Sequence, residues 1–327
     1  MSTKSATAQA HPNIAFIKYW GNWDDRLRLP ANASLSMNLD GLTTTTTVAW
    51  DDALPADTLT LNGQADAGPA RARVAAQLDV IRERLALTAH ARVDSANNFP
   101  TGAGIASSAS SFAALTVAAV AAAGAALSER ELTTLARLGS GSASRSVPSG
   151  FVEWHAGASH AESYAESIAP PDYWELVDVI AVVSRAHKAT GSTEGHRSAL
   201  TSDLQAARVA GAPARLAVCK AALLARDFAT FAEVVELDSN LMHAVMMTSR
   251  PPLFYWLPPT LAVMERVRGW RADGLRVCST LDAGPNVHCI CVRNDAPAVS
   301  AALAELSEVL EVRSADPGGP AVVLKTV

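Results

Sequence analysis

The sequence predicts an α+β fold in two lobes, residues 1–187 and 188–327, with the boundary drawn near 185–190. Three observations carry this. The 327 residues are about twice a typical domain of roughly 150. β-prone segments crowd the first half, helical periodicity dominates the middle, and a β-α-β succession closes the chain. Strands and helices do not alternate one for one, as a doubly wound parallel sheet requires, and no linker, low-complexity tail or internal repeat is visible.

In order, residues 13–18 (NIAFIK) predict a short strand, and 34–50 hold two β-prone runs about Asp40-Gly41, a hairpin signal. The threonine run 43–47 predicts a strand with one wet face. A strand at 57–61 ends at Asn62-Gly63, and Val74, Leu78, Ile81 and Leu85 mark a helix over 69–87. A strand at 89–95 leads through the Gly/Ser loop 98–108 into an Ala-rich helix, and Ser128 with Glu131 forms a capping box that starts the next helix. A second small-residue loop covers 139–150. The apolar run 176–184 predicts a buried strand. Helices near 193–207, 212–225, 228–248 and 258–272, strands at 276–281 and 286–292, a helix at 296–308 and a strand near 309–314 complete the chain.

Composition excludes several classes of function. Hydrophobic residues make up 49% and charged residues 18%, the usage of a globular chain. Lys and Arg total 27 against 32 Asp and Glu, so a net charge of −5 offers no field for nucleic acid or an anionic membrane. Cys219, Cys278, Cys289 and Cys291 make no disulfide framework; Cys289 and Cys291 are expected to point to opposite faces of a strand, and a reducing cytoplasm is the expected setting. The opening MSTKSATAQAHPN lacks the apolar core of a signal peptide. Residues 105–127 are uncharged and long enough to span a bilayer, but their Ala, Ser and Gly content predicts a packed interior helix instead. The histidines and cysteines show neither H-E-x-x-H nor C-x-x-C spacing, so no protein-held metal is expected, and no G-x-S-x-G elbow is present.

Two loops carry candidate chemistry. Residues 100–111 (PTGAGIASSASS) lie between a strand and a long helix, where small residues admit an anion to free N–H groups and the helix dipole. The string is neither a Walker A loop nor G-x-G-x-x-G, and a Gly/Ser turn with an N-cap serine would look the same. Residues 139–145 (GSGSASR) offer hydroxyls and one guanidinium, suited to a carboxylate or phosphate, or equally to a solvated loop. Lys18 and Tyr19 stand at a strand exit, and Asp282 at a strand-to-turn junction; alone, these are as well explained by an edge lysine and an Asx turn.

Together the segments resemble the diphosphomevalonate decarboxylases of the GHMP small-molecule kinase superfamily. The matching strings are NIAFIKYWG (13–21), LP (29–30), NASLSMNL (32–39), the threonine run, LNG (61–63), NNFPTGAGIASSAS (97–110), GSGSASRS (139–146), GFVEW (150–154), TGST (190–193) and LDAGPN (281–286). They follow the family's order across nearly the whole chain. The resemblance implies a GHMP kinase fold with the active site in the cleft between lobes. It implies ATP held by Gly102, Ala103, Gly104, Ala106, Ser107 and Ser108, with Mg²⁺ brought by the nucleotide, and a cytoplasmic homodimer.

The implied reaction phosphorylates the C3 hydroxyl of a 5-phosphorylated mevalonate, then expels phosphate and CO2. By resemblance Asp282 orients or deprotonates that hydroxyl, Lys18 adds positive charge near the transferred group and Arg145 grips the carboxylate. Asn13, Tyr19, Asn22, Arg73, Ser140, Ser142 and Ser192 match substrate-side positions. The family usually reads KYWGK, whereas this chain has Asn22 in place of that second lysine, and Glu194 and His196 follow the TGST string. Both Asn22 and Glu194 predict a less positive phosphate pocket, so mevalonate 5-phosphate is favoured over mevalonate 5-diphosphate, the alternative. A kinase that stops before decarboxylation and a silent nucleotide-binding member are the remaining readings; the presence of Asp282, Arg145, Ser107 and Ser108 speaks against both.

Overall fold

The computed structural model describes residues 4–99, 107–186 and 191–327, with only the backbone described at 192–193. Its first sheet has the order β16-β1-β6-β9-β7-β8. In chain order these strands are β1 (Lys4–Ala10), β6 (Thr44–Asp51), β7 (Thr58–Leu61), β8 (Gln64–Asp66), β9 (His90–Asn97) and β16 (Val322–Thr326). Neither β1 nor β16 carries a sequence signal strong enough to predict it. Along β6 burial alternates, so Thr44, Thr46, Val48 and Trp50 face inward. They meet the Ala-rich helix α2 (Ser107–Ala122), whose small side chains let the backbones approach; Trp50 Nε1 donates to Ala119 O at 2.9 Å. The helix is buried core, as its composition predicts, and no helix among the described residues is long and apolar enough to cross a membrane. Helices α1 (Pro69–Leu85) and α3 (Glu129–Gly139) pack beside it, α3 starting at the predicted Ser128 capping box. The β7–β8 hairpin turns at Asn62-Gly63, both left-handed (φ 50° and 78°), as a two-residue loop requires.

A second sheet, β11-β10-β5-β2, holds β2 (Asn13–Ile17), β5 (Ser34–Asn38), β10 (Phe151–Trp154) and β11 (Ala165–Ala169). The hairpin expected at Asp40-Gly41 does not form, because β5 and β6 enter different sheets. The chain end occupies the place a hairpin partner would take: Asp40 N–H donates to Asp316 O (2.7 Å) and Gly318 N–H to Asn38 O (2.8 Å). A small ribbon, β3 (Asn22–Asp24) with β4 (Leu29–Pro30), projects after β2.

The third sheet, β13-β14-β12-β15, comprises β12 (Leu176–Val182), β13 (Val277–Thr280), β14 (Val287–Val292) and β15 (Glu311–Ala315). Although β12 precedes position 187, both of its neighbours come from the last third of the chain. On this sheet pack α6 (Phe228–Thr248), α7 (Pro258–Ala272) and α8 (Ala296–Ala304), while α5 (Gln205–Ala225) lies against α6 and the second sheet, after the short α4 (Ser192–Ser198). Two helices predicted across 193–225 divide elsewhere than expected: the break falls at 199–204, and α5 runs unbroken through Pro213. A proline removes one donor from the ladder, and close by, the Arg215 side chain donates to Arg208 O at 2.7 Å. Cys289 and Cys291 do not diverge as expected. Residues two apart on a strand share a face, and both lie in the same apolar cluster with Val179 and Leu303. All four cysteines are buried and free.

One apolar cluster joins the second and third sheets, packing Ile14, Phe16, Leu35 and Met37 against Ile180, Phe231 and Val235. The apolar wall of the cleft comes instead from the cluster between the first sheet, α1 and α2, through Leu59, Val93, Phe112 and Leu115.

Candidate active site

At the exit of β2 the backbone of Lys18 is clamped from both sides. Its N–H donates to Asp238 Oδ2 at 2.6 Å, and its carbonyl accepts from Arg208 (2.7 Å) and Asn32 (3.0 Å). Arg215 holds the other Asp238 oxygen at 2.6 Å. The grips of Arg208, Arg215 and Asp238 come from α5 and α6, and none of these three was found by sequence reasoning, which takes charged helix residues as solvated. The clamp aims the buried Lys18 side chain at Asp282, with Nζ 2.7 Å from Oδ1. Burial pulls the ammonium below its ordinary value against the attraction of Asp282. Burial likewise pushes the Asp282 carboxyl up, but the charge and hydrogen bond of Lys18 outweigh it and hold the acid below the usual carboxylate range. The two groups stand at ion-pair distance, with the carboxylate form of Asp282 favoured.

Asp282, Lys18, Tyr19, Arg145, Ser140 and Ser142 line one end of a cleft of about 490 Å³. Arg145 is buried; its Nη1 donates to Ser34 Oγ at 2.6 Å, while Nε and Nη2 reach Asn13 Oδ1 at 3.3 and 3.2 Å. Burial lowers its pKa to about 10, so it stays charged at neutral pH. Asn13 does not line the cleft. Its amide donates to Ser142 O and Ser146 Oγ, so it orients Arg145 and the turn rather than meeting a ligand. Gly141 is needed by contact: an added Cβ would lie 2.6 Å from the Tyr19 ring. That ring is stacked on His196 (4.1 Å) and set edge-on to Trp154 (4.6 Å). His196 Nδ1 in turn accepts from Gly21 N–H at 3.0 Å.

From this end a row of hydroxyls leads to the first turn of α2: Ser142 to Ser140 at 3.4 Å, and Ser140 to Ser108 at 3.2 Å. Ser107 and Ser108 both line the cleft. Beyond them its wall turns apolar, with Leu59, Leu61, Val74, Val93, Phe112 and Leu115. Gly102, Ala103, Gly104 and Ala106 lie outside the described residues, as does the side chain of Ser192.

The two substitutions that argued for a less positive pocket do not face it. Asn22 is buried, accepting from Tyr19 Oη at 2.6 Å and donating to Asp25 Oδ1 at 2.9 Å. Glu194 is exposed and lines no part of the cleft. Arg73 does line it, stacked on Phe112 (4.8 Å) with Nη2 donating to Gly139 O at 3.3 Å. So does Arg28, which sequence reasoning missed because it sits in an unpatterned turn. Among the described residues four cations, Lys18, Arg28, Arg73 and Arg145, thus face the cleft against one carboxylate in a chain of net charge −5.

Comparison with known proteins agrees with this geometry. The family "Diphosphomevalonate decarboxylase-like N-terminal domain" matches residues 10–165, and "Mevalonate 5-diphosphate decarboxylase C-terminal domain" matches 178–316. The chain belongs to the diphosphomevalonate decarboxylase family. A diphosphomevalonate decarboxylase of Aspergillus fumigatus is 42% identical over 90% of this chain and 78% of its own, and that of Homo sapiens 38% over 86% and 75%. Among solved structures, the Staphylococcus aureus mevalonate diphosphate decarboxylase superposes with a TM-score of 0.93 at 34% identity, covering 99% of both chains. A chain described as MDDEF, solved with MVAPP, AMPPCP and magnesium, gives 0.93 at 35%, covering 99% of this chain and 100% of that one. The GHMP kinase fold expected from the resemblance is the fold of this decarboxylase family, and this chain has it.

Proposed function

We propose that this chain is an ATP-dependent decarboxylase of mevalonate 5-diphosphate. The single observation that carries the chemistry is the Lys18–Asp282 ion pair facing Arg145 across the polar end of the cleft. The monophosphate favoured on sequence grounds gives way to the diphosphate. Its two supports, Asn22 and Glu194, do not face the cleft, two arginines without a carboxylate partner among the described residues do, and the relatives are named for the diphosphate.

In this reading Asp282 accepts a hydrogen bond from the C3 hydroxyl and takes its proton as the oxygen bonds to the terminal phosphorus of ATP, releasing ADP. The work is positional, since a carboxylate held below its usual range is a weak base. Lys18 fixes Asp282 and offsets charge at the transferred group. Arg145 holds the substrate carboxylate. When the C3–O bond breaks and phosphate departs, the C–C bond to the carboxylate breaks, and its electron pair forms the alkene as CO2 leaves. Tyr19, Ser140, Ser142 and Ser192 are assigned to the substrate side, with Asn13 acting through Arg145.

The apolar end of the cleft suits adenine, and Ser107 and Ser108, at the start of α2, suit the phosphates. The serine hydroxyls at the start of α2 suit Mg²⁺ brought by the nucleotide phosphates. Bound there, Mg²⁺ would neutralise charge between the phosphates. The lobe division belongs to the same proposal and is drawn ahead of β12 because of that strand's partners. So do a homodimer, which sedimentation tests, and a cytoplasmic setting, which four buried free cysteines favour.

The test measures ADP release and trapped CO2 with ATP and Mg²⁺, offering each substrate separately. A higher kcat/KM for the diphosphate, with equal ADP and CO2, supports the proposal. Preference for the monophosphate overturns the substrate, and ADP without CO2 overturns the reaction.

A further inference from the structure

We propose that Arg28 binds the outer phosphate of the substrate, replacing from the turn of a ribbon the lysine that the family usually carries at position 22. This rests on the diphosphate reading above. In the β3–β4 ribbon Asn22 pairs with Pro30 and Asp24 with Leu29, so Arg28 stands in the connecting turn just before β4, at the other end of the ribbon's pairing from Asn22. The buried Asn22 amide accepts from Tyr19 Oη and donates to Asp25, and it does not line the cleft. The half-buried Arg28 instead reaches the cleft.

Arg28 is held for that purpose. Its backbone is left-handed (φ 48°), a conformation that glycine or asparagine adopts at lower cost, so the turn itself does not explain an arginine there. Its Nε donates to Leu138 O at 2.8 Å, and Arg73 donates to the next carbonyl, Gly139 O. Two guanidiniums, one from the ribbon and one from α1, are thus pinned on successive carbonyls at the end of α3, immediately before Ser140. Carbonyls at a helix C-terminus lack intrahelical partners and carry the negative end of the dipole, so they hold the arginines without cancelling their charge. Among the described residues neither guanidinium has a carboxylate within 4.0 Å.

Each arginine therefore keeps donors for a ligand. Crowding by protein, and then the like charge of Arg28, pull Arg73 below the ordinary arginine value, although its side chain still opens to the cleft. An anion between the two relieves that repulsion. A phosphate bearing two negative charges fits, and the site lies next to Ser140, between the polar end of the cleft and the Phe112 ring on which Arg73 stacks.

Steady-state kinetics with both substrates test this in Arg28→Leu and in Arg28→Leu/Asn22→Lys. Loss of one charge-assisted contact should raise KM for the diphosphate by about ten- to a hundredfold, and leave KM for the monophosphate within about threefold. Restoring the lysine in the double variant should recover most of the loss. An unchanged ratio of the two KM values, or a rise confined to ATP, overturns the assignment whichever substrate the wild type prefers. Wild-type preference for the monophosphate overturns the substrate reading alone. Thermal unfolding confirms that each variant is folded; if Arg28→Leu is not, Arg28→Gln is read by the same ratio.

Discussion

Lys18 Nζ lies 2.7 Å from Asp282 Oδ1, closing a contact between side chains 264 residues apart in sequence. The lysine is fully buried and the acid about a quarter exposed, so one partner anchors and the other meets the cleft. An ion pair so placed stabilises weakly on balance, because desolvation offsets attraction. Its value is orientation.

Asp282→Asn should therefore lower kcat by roughly 10²–10⁴-fold, the scale of a positioned acid–base group. Because its role belongs to the transition state, KM should stay within about threefold. ADP release under saturating substrate measures this, and near-normal turnover would remove Asp282 from the mechanism.

The pair also predicts a pH response. A carboxyl held below its usual range stays ionised until the pH falls through that lowered value. In Lys18→Met the main support of the charge is gone and burial prevails, so the Asp282 titration should move upward. Carboxyl carbon NMR would follow it, and an unmoved titration would mean that Lys18 does not set the charge state.

Gly141→Ala places a methyl 2.6 Å from a Tyr19 ring that His196 and Trp154 prevent from retreating. Overpacking of this kind costs about 1–3 kcal/mol. A lower Tm and a higher substrate KM are expected together, with KM for ATP little changed. Unaltered substrate KM would show that Tyr19 does not line the binding surface.

His243 is buried against Trp256, and burial, then the charge of Lys18, lowers its pKa to about 3. An unfolded chain binds the proton near pH 6.5, so this histidine's contribution is complete above 6.5 and lost as pH falls toward 3. Stability should decline by up to about 1.4 kcal/mol per pH unit for this one proton. Urea unfolding of wild type and His243→Gln across that window isolates the term; parallel slopes would refute it.

Much of the fold was legible because its signals are local. The Ser128–Glu131 box, the Asn62-Gly63 turn and the alanine content of α2 act through neighbours in sequence. The false hairpin at Asp40-Gly41 had the right turn residues, and a distant segment, Asp316 to Gly318, decided the pairing. At the site, Lys18, Arg145 and Asp282 were found through matching strings, and the cleft joins them. Asp238, Arg208 and Arg215 carry no such string, and they act on a backbone about 190–220 residues away. Asn22 misled for a different reason: a missing charge is visible in sequence, whereas its replacement by Arg28 needs the ribbon.

Lys18 is covalently part of the first half of the chain, yet its amide and carbonyl are held by side chains of α5 and α6, and its ion partner follows β13. The halves are therefore not interchangeable modules. Recombination that joined this first half to another protein's second half would keep every string around Lys18 and lose the hand that points it, so the two halves are expected to be inherited, and to diverge, as one unit.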